Sequence, residues 1–286
     1  MISSIVAIIV TYEPEPAALG ALLDRMAGEV MATVVVDNGS AADIAALVDL
    51  RGRAAETCLP LGRNLGIAAA QNRGIAEARR LGADAVILFD QDSAPPAGMV
   101  TALAATFDEL EAAGRRPAAV GPLPIDARLS ARPAPGSGAI LPVDHLIASG
   151  CLIPLRVLDA VGGMREDLFI DYVDIEWCLR AKAAGHQCYE ASSVRMPHEF
   201  GAPVTVLGRA YASHGPLRHY FLFRNTLWLW RQGNVPLGWR LRKAPRVALR
   251  LLFNLVFARP HLAQWAMMRR GLADGLAGRL GPGPAA

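Results

Sequence analysis

The stretch AVILFDQD, residues 85–92, runs from an unbroken apolar segment directly into two carboxylates separated by one residue. A short apolar run without alternation is typical of a strand that is covered on both faces of a parallel sheet. Pro95 and Pro96 prevent this strand from continuing. Asp90 and Asp92 therefore follow the carboxyl end of a strand, where open α/β sheets bind ligands. Taken alone, the pair fits a divalent cation carrying phosphates and a solvated capping turn equally well.

The N-terminal part of the chain alternates apolar runs with helical patterns. Strand-like runs cover residues 5–12, 33–36 and 57–59, and helical patterns cover 17–26, 41–50 and about 64–81. Strands and helices that alternate at this spacing form parallel sheets with right-handed crossovers. The sequence therefore predicts an α/β fold, with a mostly parallel sheet flanked by helices.

Polar residues cluster where each predicted strand ends. These residues are Thr11 and Tyr12, Asp37 and Asn38, Asn64, and Asp90 with Asp92. Parallel topology places them on one edge of the sheet, although Asp37 to Ser40 taken singly is more typical of a turn and helix cap. Neither a GxGxxG nor a GxxxxGK[ST] segment accompanies them, so neither a dinucleotide fingerprint nor a P-loop is indicated.

The middle of the chain is less regular. A strand is expected near 118–120, and residues 122–142, rich in Pro, Gly and Ala, are expected to form a variable loop. Strand character returns at 146–153 and includes Ser149 and Gly150, where a glycine permits close approach of a ligand.

A second group of carboxylates lies at Asp171, Asp174 and Glu176, at the start of a predicted helix. Acidic residues suit a helix N-terminus, but capping explains one acid better than three. Glu176 and Arg180, four residues apart, are also compatible with a surface ion pair. His198 follows two short predicted strands, and a lone histidine is usually structural.

The C-terminal part of the chain is strongly basic. From Arg218 onward it carries twelve Lys/Arg and one acid, a net charge of +11, whereas the preceding part has a net charge of −8. Arg242, Arg246 and Arg250 recur every four residues, and tryptophans and phenylalanines accompany them. This pattern predicts a helical appendage at 216–286, after an α/β domain at 1–215, that binds an anionic membrane surface. The alternatives are packing on the α/β domain or on a second subunit, as in a homodimer; nucleic acid is not favoured because no nucleic-acid motif is present.

No stretch approaches the roughly 20 apolar residues that span a bilayer. The N-terminus enters a strand directly, without the basic region of a signal peptide. We therefore expect a cytoplasmic protein, attached peripherally to the inner face of the cytoplasmic membrane.

Together these motifs resemble the family 2 glycosyltransferases, inverting nucleotide-sugar enzymes of the GT-A fold, and among them the bacterial dTDP-rhamnose-dependent rhamnosyltransferases. The similarity covers roughly residues 5–232. Its motifs are IVTY at 9–12, VVDNGS at 35–40, NLGIA at 64–68, FDQDS at 89–93, Ser149-Gly150, residues 169–180 and residues 220–225. Val173 stands where the family usually has a glutamate before its catalytic aspartate.

The resemblance implies a role for each matching residue. Asp174 corresponds to the catalytic base. Asp92, Asp90 and His198 would bind Mg²⁺ or Mn²⁺. The nucleotide would contact Thr11, Tyr12, Asp37, Asn64, Gly66 and Asp90, and the diphosphate or the acceptor would contact Ser149, Gly150, Trp177, Arg224 and Asn225.

The resemblance also implies a reaction. Rhamnose would pass from dTDP-rhamnose, with inversion, to a saccharide or a polyprenyl-linked acceptor of a cell-surface polysaccharide. A UDP-sugar donor, such as a galactofuranose or hexose donor, is the alternative within the same reaction class. A non-catalytic nucleotide-sugar binder is the alternative outside it.

Overall fold

An eight-stranded sheet forms the centre of the protein, for which a computed structural model describes residues 1–126, 138–198, 202–206, 209–257 and 260–284. Its strands are β1 (Ile5–Thr11), β2 (Ala32–Asp37), β3 (Glu56–Pro60), β4 (Ala85–Asp90), β5 (Pro117–Ile125), β6 (Ile140–Val143), β7 (Cys151–Pro154) and β8 (Gln187–Pro197). Their order across the sheet is β3-β2-β1-β4-β7-β5-β8-β6. β9 (Ala202–Val206) and β10 (Arg209–Ser213) form a separate antiparallel pair.

The first four strands are parallel, as the sequence predicts. β1 pairs with β2 and with β4, and β2 pairs with β3. The register sets Thr11 beside Asp37 and Val10 beside Asp90, so the polar residues that end these strands share one edge. Nearly all of β1, β2 and β4 is buried, which explains their uninterrupted apolar sequences.

The other half of the sheet is mixed. β7 is antiparallel to β4 and β5, whereas β5 and β8 are parallel. The structure corrects two expectations here. β5 continues through Pro122 and Pro124 to Ile125 beside β8, with a register irregularity after Pro122, so part of the expected 122–142 loop is strand. The strand expected at 146–153 begins only at Cys151; residues 127–137 lie outside the described part.

Nine helices accompany the sheet in the described part of the chain. They are α1 (Pro16–Met26), α2 (Ile44–Asp49), α3 (Ile67–Arg80), α4 (Met99–Ala112), α5 (Leu155–Val161), α6 (Val173–Ala183), α7 (Pro216–Trp230), α8 (Leu237–Phe257) and α9 (His261–Ala277). α1 shows how they pack: Leu19, Leu22, Leu23 and Met26 recur at helical spacing and are buried. Full burial of such a side chain stabilises the fold by about 1.5–3 kcal/mol.

The C-terminal helices α7, α8 and α9 pack against the rest of the protein. Trp228 and Trp239 are buried, so they are not available to a membrane as the sequence pattern predicted. An outward apolar face remains on α8, at Leu237, Leu241, Leu249, Leu252 and Val256. No helix of the described residues is both long and apolar enough to cross a bilayer.

α9 approaches the backbone of α7 closely because two glycines face it. A Cβ atom on Gly275 would lie 2.5 Å from the carbonyl oxygen of Arg224, and one on Gly271 would meet the carbonyl of Tyr220. Backbone atoms cannot move aside as a flexible side chain can. The Gly271 and Gly275 pair therefore fixes the distance between these helices.

We expect Gly275→Ala to lower the free energy of unfolding by about 1–3 kcal/mol, because the added methyl group forces α9 away from α7. Urea denaturation followed by circular dichroism measures the change. Gly238→Ala on α8 is the matched control, since its Cβ would meet nothing closer than Arg242 Nη1 at 3.6 Å. Equal stability of the two variants would contradict the close-approach argument.

Candidate active site

One cavity of about 700 Å³ opens at the carboxyl edge of the parallel strands. Its walls come from the ends of β1 and β4, the start of α3, the loop before α6, and helices α7 and α8. The predicted site residues on it are Thr11, Tyr12, Asn64, Gly66, Asp90, Asp92, Asp174 and His198. The structure thus brings together residues that are up to 187 positions apart, between Thr11 and His198. The cavity is the candidate active site.

One wall of the cavity is a hydrogen-bonded group of polar side chains. Asn38 Nδ2 donates to Asn64 Oδ1 at 3.1 Å, and the Leu65 amide donates to Asn38 Oδ1 at 2.8 Å. The Tyr12 amide donates to Gln91 Oε1 at 2.7 Å, which links the ends of β1 and β4. These bonds hold the wall in one arrangement.

Asp37 does not line the cavity, although its neighbour Asn38 does. Its buried carboxylate accepts hydrogen bonds from Thr11 Oγ1 at 3.1 Å and from the amide and hydroxyl of Ser40. In this structure Asp37 therefore organises the turn behind the wall.

Asp90, Asp92 and His198 lie on the same cavity. Burial raises the pKa of Asp90 and nearby Asp92 raises it further, while His198 and Arg218 act in the opposite direction. Among the described residues no group of three or more His, Cys, Asp or Glu side chains is close enough to hold a metal ion. The three residues share a wall but do not form a closed coordination shell.

The loop before α6 has an unusual backbone. Phe169, Asp171 and Tyr172 have φ angles of 65°, 61° and 66°, in the left-handed region that side chains disfavour. Such conformations cost of order 1–3 kcal/mol each and persist only where surrounding contacts determine them. The loop delivers Asp171 and Asp174 to the cavity.

Two buried residues of α7 hold this loop. Asn225 Nδ2 lies 3.1 Å from the Leu168 carbonyl oxygen and 2.8 Å from those of Ile170 and Asp171. Arg224 Nη2 donates to the Leu168 carbonyl at 2.8 Å. Arg224 and Asn225 are fully buried and do not line the cavity, which corrects the prediction that they contact the diphosphate or the acceptor. They position the loop from behind.

Gly66 meets the same loop from the other side. A Cβ atom on Gly66 would lie 2.6 Å from the carbonyl oxygen of Phe169, and the next amide, that of Ile67, donates to this oxygen at 2.8 Å. Gly66 also has a φ of 89°. The start of α3 and the loop before α6 are therefore in direct contact. This contact and the positive φ both require a glycine at position 66.

Asp174 is the second residue of α6, and its Oδ1 accepts a hydrogen bond of 2.8 Å from the Ile175 amide. Burial raises the pKa of Asp174 to about 6, the Ile175 amide lowers it, and the negative charges of Asp171 and Asp90 raise it. A carboxylate with this pKa accepts a proton more readily than an ordinary aspartate and is still ionised at neutral pH. Asp174 therefore has the properties of a general base.

Three further predicted contacts lie away from the cavity. Trp177 is buried in the core and its Nε1 donates to the Gly162 carbonyl at 2.9 Å. Ser149 is buried, with its hydroxyl 2.6 Å from that of Ser93, and the Gly150 amide donates to the Leu88 carbonyl. None of the three lines the cavity, so the structure corrects their assignment to the diphosphate or the acceptor.

Sequence reasoning missed a group of basic residues on the opposite wall. They are Arg218 from α7 and Lys243, Arg246 and Arg250 from α8. Arg218 Nε donates to Asp171 Oδ1 at 3.1 Å. The four-residue spacing of the α8 arginines indicates a shared helix face, but the sequence pattern was interpreted as a membrane-facing stripe. In the structure Arg246 and Arg250 of that stripe line the cavity.

No family model matches the chain. The dTDP-rhamnosyl transferase RfbF of Shigella flexneri is 32% identical to it, and the match covers 85% of each protein. The chain belongs to the dTDP-rhamnosyl transferase family. Members of this family are glycosyltransferases, and this chain is therefore a glycosyltransferase, as the sequence motifs predicted.

Solved structures of glycosyltransferases confirm that this chain has the GT-A fold. S. aureus TarS in complex with UDP-GlcNAc matches with a TM-score of 0.63 at 15% identity, covering 97% of this chain and 82% of that one. GalNAc-T7 with UDP, GalNAc and Mn²⁺ matches with a TM-score of 0.59 at 12% identity. That match covers 80% of this chain and 47% of GalNAc-T7. At these identities the likeness shows the fold.

We expect Asn225→Ala to lower the free energy of unfolding by about 1–3 kcal/mol, because backbone carbonyls of the strained loop lose a buried donor. Glycosyl transfer should fall as well, since the loop no longer holds Asp174 in place. Urea denaturation and an activity assay on the same preparation measure both effects. Gln232→Ala is the control, because this side-chain amide lies just after the end of α7 and donates to the carbonyl of Trp228 rather than to the loop before α6. Equal losses in both variants would argue against a positioning role for Asn225.

Proposed function

We propose that the protein is a metal-dependent, inverting glycosyltransferase that moves rhamnose from dTDP-rhamnose to a saccharide or lipid-linked acceptor of a cell-surface polysaccharide. The observation that carries this proposal is Asp174, a partly buried carboxylate with a raised pKa, on the same cavity as Asp90 and Asp92. The name of the Shigella flexneri relative supports the choice of donor.

The site divides the reaction between two sets of residues. The nucleotide binds along Thr11, Tyr12, Asn64 and Gly66, which places the sugar between that wall and α6. Asp174 then accepts the proton of the acceptor hydroxyl as this oxygen attacks the anomeric carbon from the face opposite the diphosphate. The C–O bond to the diphosphate breaks as the new glycosidic bond forms, so a single displacement inverts the configuration.

The side chains around Asp90 have the donor chemistry that a divalent cation prefers, although they do not form a closed shell by themselves. Carboxylate oxygens are the ligands that Mg²⁺ and Mn²⁺ prefer, and the burial that raises the pKa of Asp90 is a cost that a bound cation would offset. Asp90, Asp92 and His198 would hold the ion. When bound, it would supply charge neutralisation for the departing diphosphate. The Mn²⁺ in the GalNAc-T7 structure supports this choice of cofactor.

A UDP-sugar is the second candidate donor. TarS, with the same fold, was crystallised with UDP-GlcNAc. The two nucleotides share the pyrimidine edge that a carboxylate or amide recognises, and differ in the base methyl group and the ribose 2′-hydroxyl. Transfer from a UDP-sugar but not from dTDP-rhamnose would replace the proposed donor and keep the reaction class.

We expect the wild-type protein to transfer rhamnose from dTDP-rhamnose in the presence of Mn²⁺, and Asp174→Asn to bind the donor but lose transfer by about 10²-fold or more, since an amide cannot take up the proton. Product formation is measured by chromatography and donor binding by calorimetry. The activity of the wild type should also fall as the pH drops below about 6, where Asp174 becomes protonated. Donor binding without transfer to any saccharide or lipid-linked acceptor would favour a non-catalytic nucleotide-sugar binder.

The outward face of α8 supports peripheral attachment to an anionic membrane. Leu241, Leu249 and Leu252 are 64%, 68% and 59% exposed on one side of this helix. Arg242 is exposed beside these leucines, pairs with Asp144 at 3.0 Å and would meet acidic headgroups, whereas Arg246 lines the cavity. A helix with an apolar face and adjoining cations lies in the interface of a bilayer. Attachment at the cytoplasmic face would keep the enzyme near a membrane that carries a lipid-linked acceptor.

We expect the double variant Leu249→Gln, Leu252→Gln to bind phosphatidylglycerol vesicles several-fold more weakly, because its apolar face is interrupted. Co-sedimentation with vesicles measures this. Leu50→Gln, at a leucine that is 88% exposed away from α8, is the control. If a second copy of the chain covers the face instead, the double variant will change the oligomeric mass and leave vesicle binding unaltered.

A further inference from the structure

The cavity separates its charges onto two walls. Asp90, Asp92, Asp171 and Asp174 lie on the side of the sheet edge and α6. The cations of the opposite side come from α7 and α8 and include Arg218, Arg246 and Arg250. Arg218 joins the walls through its bond to Asp171. Within the described part of the chain, no carboxylate lies within 4 Å of the Arg246 or Arg250 guanidinium.

Arg250 differs from the structural arginines near it. Arg240, on the same helix, donates to the carbonyls of Gln232 and Val235 at 2.6 to 3.1 Å. Arg224 of α7 donates to the carbonyls of Gly281 and Leu168. Arg250 is half-buried and has no such bond to any described residue. Its guanidinium lines the cavity and is available to a ligand there.

Withdrawing the Arg250 guanidinium partly from water costs free energy, and the nearby charge of Asp171 offsets that cost only in part. Burial lowers the pKa of Arg250, and it lowers that of Lys243 on the same wall, which shows the direction of this cost. An anionic ligand in the cavity would offset the cost for both residues. The planar fork of arginine matches phosphate oxygens in particular.

We propose that Arg250, together with Arg246, binds the diphosphate group of the nucleotide-sugar donor from the α8 side of the cavity. This inference rests on the proposed function. Arg246 and Arg250 line the same cavity as the nucleotide wall and Asp174. The charges of Arg218 and Arg250 also favour the ionised form of Asp171 on that cavity. The two arginines replace Arg224, which the structure removes from this role. They also stabilise the negative charge that develops on the leaving diphosphate.

The test compares dTDP with dTMP, and in parallel UDP with UMP, by calorimetry. In the wild type the diphosphate should bind more tightly than the monophosphate. In Arg250→Gln the affinity for the diphosphate should fall by about 10- to 100-fold and that for the monophosphate by less, so that the ratio of the two affinities shrinks. Arg250→Lys, which keeps the charge but not the fork, should lose less. Arg269→Gln, an exposed arginine on α9, is the control of equal charge and should keep the wild-type ratio.

The affinity ratio is internal to each variant, so partial unfolding lowers both affinities without changing it. If Arg250→Gln does not fold, the same affinity ratio is measured in Arg246→Gln, which changes a more exposed position of the same wall. An unchanged ratio in both variants overturns this inference alone. A wild type that binds neither dTDP nor UDP overturns the proposed function as well.

A lipid-linked acceptor could carry the same diphosphate chemistry. Farnesyl diphosphate is therefore included as a third probe. A further outcome is that Arg250→Gln weakens the binding of farnesyl diphosphate and leaves the ratio of the dTDP and dTMP affinities unchanged. In that case the cations bind a lipid diphosphate, and the assignment to the donor is overturned. Loss confined to the nucleotide diphosphates supports it.

Discussion

The hydrogen bonds from Asn225 to three carbonyl oxygens of the loop before α6 are the constraint on which the candidate site depends. They fix a segment in which Phe169, Asp171 and Tyr172 adopt left-handed conformations, and α6 begins directly after it. Without such bonds this backbone would relax toward the extended or right-handed regions. The direction in which Asp174 enters the cavity is therefore decided by α7, a helix more than 40 residues further along the chain.

Phe169 connects this constrained loop to the rest of the site through two contacts. Its carbonyl oxygen accepts the amide of Ile67 at the start of α3, and its ring stacks on Phe221 of α7 with centroids 5.2 Å apart. One residue thus connects the nucleotide wall, the loop that delivers Asp174, and the C-terminal helices. The predicted boundary between residues 215 and 216 consequently passes through the site, since α7 supports the loop and α8 lines the cavity.

The sequence predicted the parallel half of the fold because its signals are local. An apolar run such as 85–89 determines a buried strand, and parallel pairing then places every strand end on one edge. The carboxylates at 90, 92 and 174 follow from this topology together with the family resemblance. The mixed half was less predictable, because whether Pro122 and Pro124 end a strand depends on which partner lies beside them.

The two kinds of arginine could not be told apart from sequence for a related reason. Arg224 and Arg250 both lie on C-terminal helices among aromatic and apolar residues, and helical spacing gives the face of each but not what that face meets. The structure separates them through their partners: Arg224 donates to backbone carbonyls, and Arg250 faces the cavity without a described partner. A basic pattern on a helix thus predicts that the helix has an anionic partner more reliably than it predicts where on the protein that partner binds.

Helix α8 has a cationic face and an apolar face, which the sequence pattern treated as a single membrane-binding surface. Its cations face the cavity and its leucines at 241, 249 and 252 face outward, so opposite sides of one helix are suited to opposite ligands.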